Sequence, residues 1–171
     1  MKYYSQIGQD RWVCEALQFK KEGVWVDIGC STPIDLNNTY CMESQLGWRG
    51  ISVDINPDCI GQWGDVGREL SGVICHNALT LDYSTAFKEN ELPKVIDYLS
   101  MDLEPPTLTL AALMKIPFDE YKFRCITFET DAYRNMGTQD VSRDYLKSKG
   151  YSLVLAGKQD DFWVYGGELL A

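Results

Sequence analysis

The chain has 171 residues, a length that suits one domain with one core. It is 45% hydrophobic and 12% aromatic, too apolar for a disordered segment. Its formal net charge of −9 leaves no basic excess for a broad face against nucleic acid or an anionic membrane, so neither is expected as a partner.

Gln9 to Lys21 sets Trp12, Val13, Ala16, Leu17 and Phe19 near helical spacing, which predicts a helix ended by Gly23. Val24–Ile28 is an almost wholly apolar strand. Asn37 or Asn38 is placed to cap a helix running to about Leu46, with Gly47 as its stop. Ile51–Ile55 reads as a second strand, and Pro57 opens a short helix through Ile60 and Trp63. Gly72–Cys75, Val95–Met101 and Phe123–Phe128 read as three more strands. A helix over Leu108–Met114 lies between the last two, closed off by Pro117. Val141–Lys149 is a helix stopped by Gly150. Tyr151–Leu155 and Phe162–Tyr165 are two strands joined by the turn-like GKQDD, which predicts a hairpin. Residues 1–22 form a helical segment packing on a single domain of residues 1–171. No repeat, linker or low-complexity tract interrupts it.

Six scattered cysteines without a C-x-x-C pair read as reduced and mostly buried thiols. MKYYSQIGQDRW lacks the apolar core of a signal peptide, and no run approaches a membrane span, so a cytoplasmic protein is expected. One histidine, His76, placed on the third strand, makes a His base improbable. The five tryptophans are assigned to the core or its rim.

Alternation of apolar strands with helices predicts a mainly parallel sheet covered on both faces, with one antiparallel strand required by the closing hairpin. Ligands of such sheets sit outside the carboxyl ends of the strands. VWVDIGC (24–30) and ISVDINP (51–57) each carry an aspartate at such an end, Asp27 and Asp54. Singly, each is as well explained as a turn or cap residue; two in one crevice point to a ligand. A dinucleotide fits poorly, because the first turn has only Gly29 in place of G-x-G-x-x-G, and Asp27 would repel a pyrophosphate. S-adenosylmethionine (SAM) has a sulfonium, an ammonium and a ribose diol. Asp27 suits its methionine end, and Asp54 can accept from both ribose hydroxyls.

SQIGQD (5–10), VWVDIGC (24–30), NNTYCME (37–43), LGWRGISVDINP (46–57), VIDYLSMDLE (95–104), ITFETD (126–131) and GYSLV (150–154) together resemble the FkbM-type SAM-dependent methyltransferases. The resemblance implies a three-layer, Rossmann-like α/β fold of the class I methyltransferases. Its seven-stranded sheet is mainly parallel, with a C-terminal antiparallel hairpin and helices on both faces. It also implies SAM as cofactor, S-adenosylhomocysteine (SAH) as product, and O-methylation of a hydroxyl on a sugar, glycan or small natural product. Cofactor contacts are expected from Asp27, Gly29 and Cys30 in the first turn, Asn38 and Thr39, Asp54, Asn77 and Ala78 beside the adenine, and Asp102 near the methyl group. Asn77 reads equally as a turn residue, and Asn38 and Thr39 as helix caps. Gln6, Gln9 and Asp10 line the entrance or simply face water on an exposed helix.

Two segments depart from that family. Glu104-Pro105-Pro106 replaces a glycine after the fourth strand, and Glu129-Thr130-Asp131 lacks the family's histidine. Asp102, Glu104 and Glu129 are the candidate catalytic carboxylates, with Asp131 beside them, one acting as base if burial or like-charged neighbours raise its pKa. A divalent metal between these oxygens is possible but not expected. With no long insertion to form a lid, an open site is expected, serving an end-exposed acceptor or completed by a second subunit in a homo-oligomer. The other reading is a non-catalytic module that keeps the fold and binds SAM or a partner.

Overall fold

In the computed structural model, which describes residues 1–134 and 137–167, the two most apolar runs become the centre of the sheet. Val24–Ile28 (β1) and Val95–Met101 (β4) pair in parallel, with Trp25 opposite Tyr98 and Ile28 opposite Met101. On one side follow Arg49–Asp54 (β2) and Ser71–Cys75 (β3). On the other follow Lys122–Glu129 (β5), Asp160–Tyr165 (β7) and Tyr151–Ala156 (β6). The order is β3-β2-β1-β4-β5-β7-β6, with only β7 antiparallel to its neighbours. The strand order reverses between β1 and β4, which opens a crevice at their carboxyl ends.

All five residues of β1 are buried, and they alternate between two helical layers. Val24, Val26 and Ile28 face Tyr83–Glu89 (α4), Pro106–Leu113 (α5) and Thr138–Ser148 (α6), through Phe87, Leu113 and Leu146. Trp25 faces Gln9–Ala16 (α1) and Tyr40–Leu46 (α2), through Val13, Cys14 and Met42. Asp27 shares the Trp25 side. Continuous apolar strands are what covering both faces demands. Trp25, Trp48 and Trp163 are fully buried, and Trp63 nearly so. Four of the six free cysteines are buried; Cys59 is half-buried and Cys75 exposed. Among the described residues no helix is long and apolar enough to cross a membrane.

Three expectations need correction. First, α1 ends at Ala16, not near Lys21. Gln18 and Phe19 adopt φ of 51° and 55°, and the Phe19 amide turns back to Cys14 O (2.7 Å). The Trp48 indole then fixes Lys20 O (2.6 Å), so tertiary packing diverts a segment whose spacing alone permits helix. Second, α4 has no counterpart among the expected elements. Asp82 caps it by accepting from the Thr85 amide (3.1 Å), but its apolar face of Tyr83, Ala86 and Phe87 spans a single turn, too little periodicity to read. Third, α2 has Thr39 as its N-cap residue. The capping bonds nevertheless come from Asn37, whose Oδ1 accepts from the Thr39 (3.0 Å) and Tyr40 (2.8 Å) amides. Gly47 stops α2 at φ 69°, as expected.

Candidate functional site

A cavity of about 650 Å³ occupies the crevice at the carboxyl ends of β1 to β5. Asp27, Gly29, Cys30, Asn38, Asp54, Asn77, Ala78, Asp102, Glu104 and Glu129, drawn from five separate strand ends, all line it. Thr39 does not. It is fully buried behind the wall, where its hydroxyl lies 3.4 Å from Asp27 Oδ2 and 3.0 Å from Asn37 Oδ1. The expected cofactor contact of Thr39 is therefore corrected to a support for Asp27.

Asp27 is 1% exposed, and its pKa is pushed up to about 7. Burial is the main cause; Ser100, Arg68 and Thr39 oppose it, and the Asp102 charge reinforces it. Burial also raises the Cys30 thiol, so it is no nucleophile. Gly29 has φ 88°, and a Cβ there would overlap the carbonyl oxygen of Asp102. The glycine thus lets the turns after β1 and β4 meet, beyond any room it leaves for a ligand. Asn38 Nδ2 donates to Ser100 Oγ (3.0 Å), while its buried Oδ1 has no partner among the described residues. An acceptor in that state favours a ligand that brings a donor.

Asp54 ends β2. Its Oδ2 accepts from the Ser31 amide (2.9 Å) and its Oδ1 from the Asn56 amide (2.8 Å). The helix that follows, Pro57–Gly61 (α3), is capped by Asn56, so Asp54 is not spent as an N-cap. Asn77 does form the turn that rivalled its ligand role: its Oδ1 accepts from the Leu79 amide (2.8 Å). Its Nδ2 makes no hydrogen bond to the described residues, so both roles fit one side chain.

At the other end of the cavity the carboxylates crowd. Burial, first, and the charges of Glu104 and Asp131 raise Asp102, while a hydrogen bond with Glu129 opposes the rise. Burial and Asp102 raise Glu129 further. The two carboxyls therefore lose their protons as a pair, with burial holding both above the usual carboxylate range. Glu104, Glu129 and Asp131 bring oxygens within 4.8 Å of one another. Arg134 is the counter-ion of two of them, paired with Glu104 Oε2 (2.6 Å) and Asp131 Oδ2 (3.3 Å). The Glu-Thr-Asp segment is pinned to the β6–β7 turn, because the Thr130 and Asp131 amides both donate to Gln159 O (2.7 and 2.9 Å).

Gln6 lines the cavity, but Gln9 and Asp10 are 1% and 0% exposed and neither line it nor face water. Gln9 Nε2 donates to Asp160 Oδ2 (3.0 Å), and Asp10 accepts from the Tyr4 amide and the Ser5 hydroxyl. His76 lies one residue beyond β3, so it reaches the cavity instead of lying within the strand as expected. Sequence reasoning missed Ile55 and Leu79, whose signal was their place just past a strand end. It also missed Arg68, which has no local signal at all.

No family model and no curated protein matches the sequence. Solved structures do match the backbone. The METTL16 MTase domain superposes with a TM-score of 0.63 at 15% identity, over 92% of this chain and 66% of that domain. The fold is the class I methyltransferase fold. A precorrin-6y C5,15-methyltransferase from Geobacter metallireducens agrees over 90% of this chain and 86% of its own (TM-score 0.57, 13% identity). The Methanococcus jannaschii fibrillarin pre-rRNA processing protein agrees over 87% and 69% (TM-score 0.60, 11% identity). At such identities the likeness is one of fold. This chain spans about two thirds of the METTL16 domain.

Proposed function

We propose that the chain is a SAM-dependent methyltransferase acting on a hydroxyl. The observation that carries the reading is the convergence of Asp27, Asp54 and Asp102 on one cavity beside a turn with a single glycine. Three carboxylates there oppose a pyrophosphate and suit a cationic cofactor. The residues fit that group: Asp54 keeps acceptor positions for a ribose diol, Asn77 Nδ2 is a donor for the adenine edge beside Ala78, and Asn38 Oδ1 lacks a donor. When bound, SAM supplies a methyl group already activated on a sulfonium. The chain then has to orient the acceptor and receive its proton. Asp102, beside Glu129 at the acidic end of the cavity, would accept the proton of the acceptor hydroxyl.

The resemblance to FkbM-type enzymes, strongest over residues 46–57 and 96–104, supports a sugar, glycan or small natural product as acceptor. So does the open rim, where Leu36 and Ile55 are 68% and 64% exposed. The pre-rRNA in the name of one fold neighbour is not carried over, because the chain's net charge of −9 and the acidic end of the cavity oppose a polyanion. Arg134 gives a second reading some support: by engaging Glu104 and Asp131 it leaves fewer free acids for catalysis, as in a SAM-binding module without turnover.

The test is methyl transfer from labelled SAM to a panel of sugars and phenols, with Asp102→Asn beside the wild type. Transfer that falls at least about a hundredfold in the variant, with SAH affinity kept, supports the enzyme. SAH binding with no transfer to any acceptor supports the module. Binding of NADH but not SAH would sink both.

A further inference from the structure

Arg68 carries a permanent charge yet is only 6% exposed. It belongs to the connection between α3 and β3 but reaches across to the segment that follows β1. Its Nε donates to Glu43 Oε2 (2.7 Å), Nη1 to Pro33 O (2.9 Å) and Asn37 Oδ1 (3.0 Å), and Nη2 to Thr39 Oγ1 (3.0 Å). The guanidinium also stacks on Trp63, 4.2 Å from the ring centroid, and the Trp63 indole donates to Ser31 O (3.1 Å). Asn37 passes the restraint on, because its Nδ2 donates to Cys30 O (3.1 Å) and Thr32 O (3.0 Å). Cys30, Ser31, Leu36 and Asn38 of this segment face the cavity; Arg68 itself does not.

We propose that Arg68 is a positioning residue of the cofactor pocket, holding residues 29–39 through Pro33, Asn37 and Thr39 in the shape that receives the cofactor. The inference rests on the cavity being a SAM site. A residue that only stabilised the fold would need no more than its ion pair with Glu43. Three of the four bonds go instead to Pro33, Asn37 and Thr39, which back the pocket wall. A planar fork suits that division, and an ammonium does not. The Arg68–Thr39–Asp27 chain adds an electrostatic link. Arg68 and Thr39 hold the Asp27 carboxyl down against burial, which raises it; Ser100 on β4 acts with them, and the Asp102 charge acts against them. Cys30 and Tyr98 also lie within reach of the Asp27 charge.

The experiment is calorimetric titration of SAH into the whole chain from about pH 6 to 8.5, below each variant's melting temperature, with stoichiometry reporting the folded fraction. Arg68→Gln should weaken binding at least about tenfold and move the pH midpoint of affinity upward, since Asp27 loses its nearby cation. Arg68→Lys should restore the midpoint but not the full affinity. Asp97→Asn is the control. It weakens the ion pairs that buried Asp97 makes with the partly exposed Lys20 and Arg124 at the opposite end of the sheet, and should lower the melting temperature with affinity unchanged. Should Arg68→Gln fail to fold, Arg68→Lys and Trp63→Phe carry the test, each expected to weaken SAH by about threefold or more. Wild-type affinity and an unmoved midpoint in the folded Arg68 variants would overturn the proposal. A wild type that binds no SAH would remove the cofactor reading, and this inference with it.

Discussion

Replacing Asp54 by alanine tests the cofactor site with the clearest arithmetic. Two bonds to this carboxylate are already made, from the Ser31 and Asn56 amides. A carboxylate offers about four acceptor positions, so about two remain for a ribose diol. The backbone bonds lie where water can replace them and are worth about 0.5–1.5 kcal/mol each. At about 2–4 °C per kcal/mol for a chain of this size, the ligand-free variant should melt on the order of 5 °C lower. Ribose bonds to a charged acceptor are worth about 1.5–3 kcal/mol each, so SAH affinity should fall at least about tenfold, and more than about a hundredfold if both hydroxyls are held. Calorimetry at about 15 °C, where both proteins are folded, separates the two effects. A ligand lacking the 2′-hydroxyl closes the cycle: its deletion should weaken binding to the wild type and make little difference to Asp54→Ala. A lower melting temperature with unchanged SAH affinity would refute the reasoning, and would leave Asp54 as a tie between two loops.

Further outcomes follow from the same geometry. Gly29→Ala forces a Cβ onto the Asp102 carbonyl at φ 88°, so it should cost at least about 2 kcal/mol of stability and also weaken SAH, read by melting and titration. A stable variant with wild-type affinity would contradict this. Asp160 is 4% exposed with its pKa pushed up to about 7, by burial first and by neighbouring carboxylates, against the help of Gln9. Its unfolded value is about 3.9, so the folded state holds the extra proton between about pH 4 and 7, and stability falls as pH rises through that window. Asp160→Asn should therefore gain melting temperature relative to wild type between about pH 5 and 8; a flat difference would show that the carboxyl is not raised. Arg143→Gln strands Asp161, which is fully buried and held by two bonds (2.7 and 2.9 Å). An uncompensated buried charge costs about 3–5 kcal/mol, so chemical denaturation should show a loss of that size.

Much of this protein is legible in the order of its residues alone. The apolar runs at 24–28 and 95–101 are the central strands with those boundaries, because a strand covered on both faces is mostly apolar. Glycine stops at Gly47 and Gly150 and the closing hairpin are equally readable, since φ, capping and alternation act over a few residues. Asp27, Asp54 and Asp102 stand out as strand-end carboxylates by the same local logic. Tertiary structure alone decided the rest. It ended α1 at Ala16 by offering the Trp48 indole to Lys20, and it buried Gln9 against Asp160, 151 positions away. It moved Thr39 behind the wall and set Arg68 there with three bonds to a segment some thirty residues earlier. It brought Asp102 and Glu129 together at one end of the cavity, where burial raises both. The division has a physical cause. Backbone preference and burial pattern are summed over neighbours in the chain, whereas desolvation, charge pairing and a shared hydrogen bond depend on distances that exist only once the chain has closed on itself.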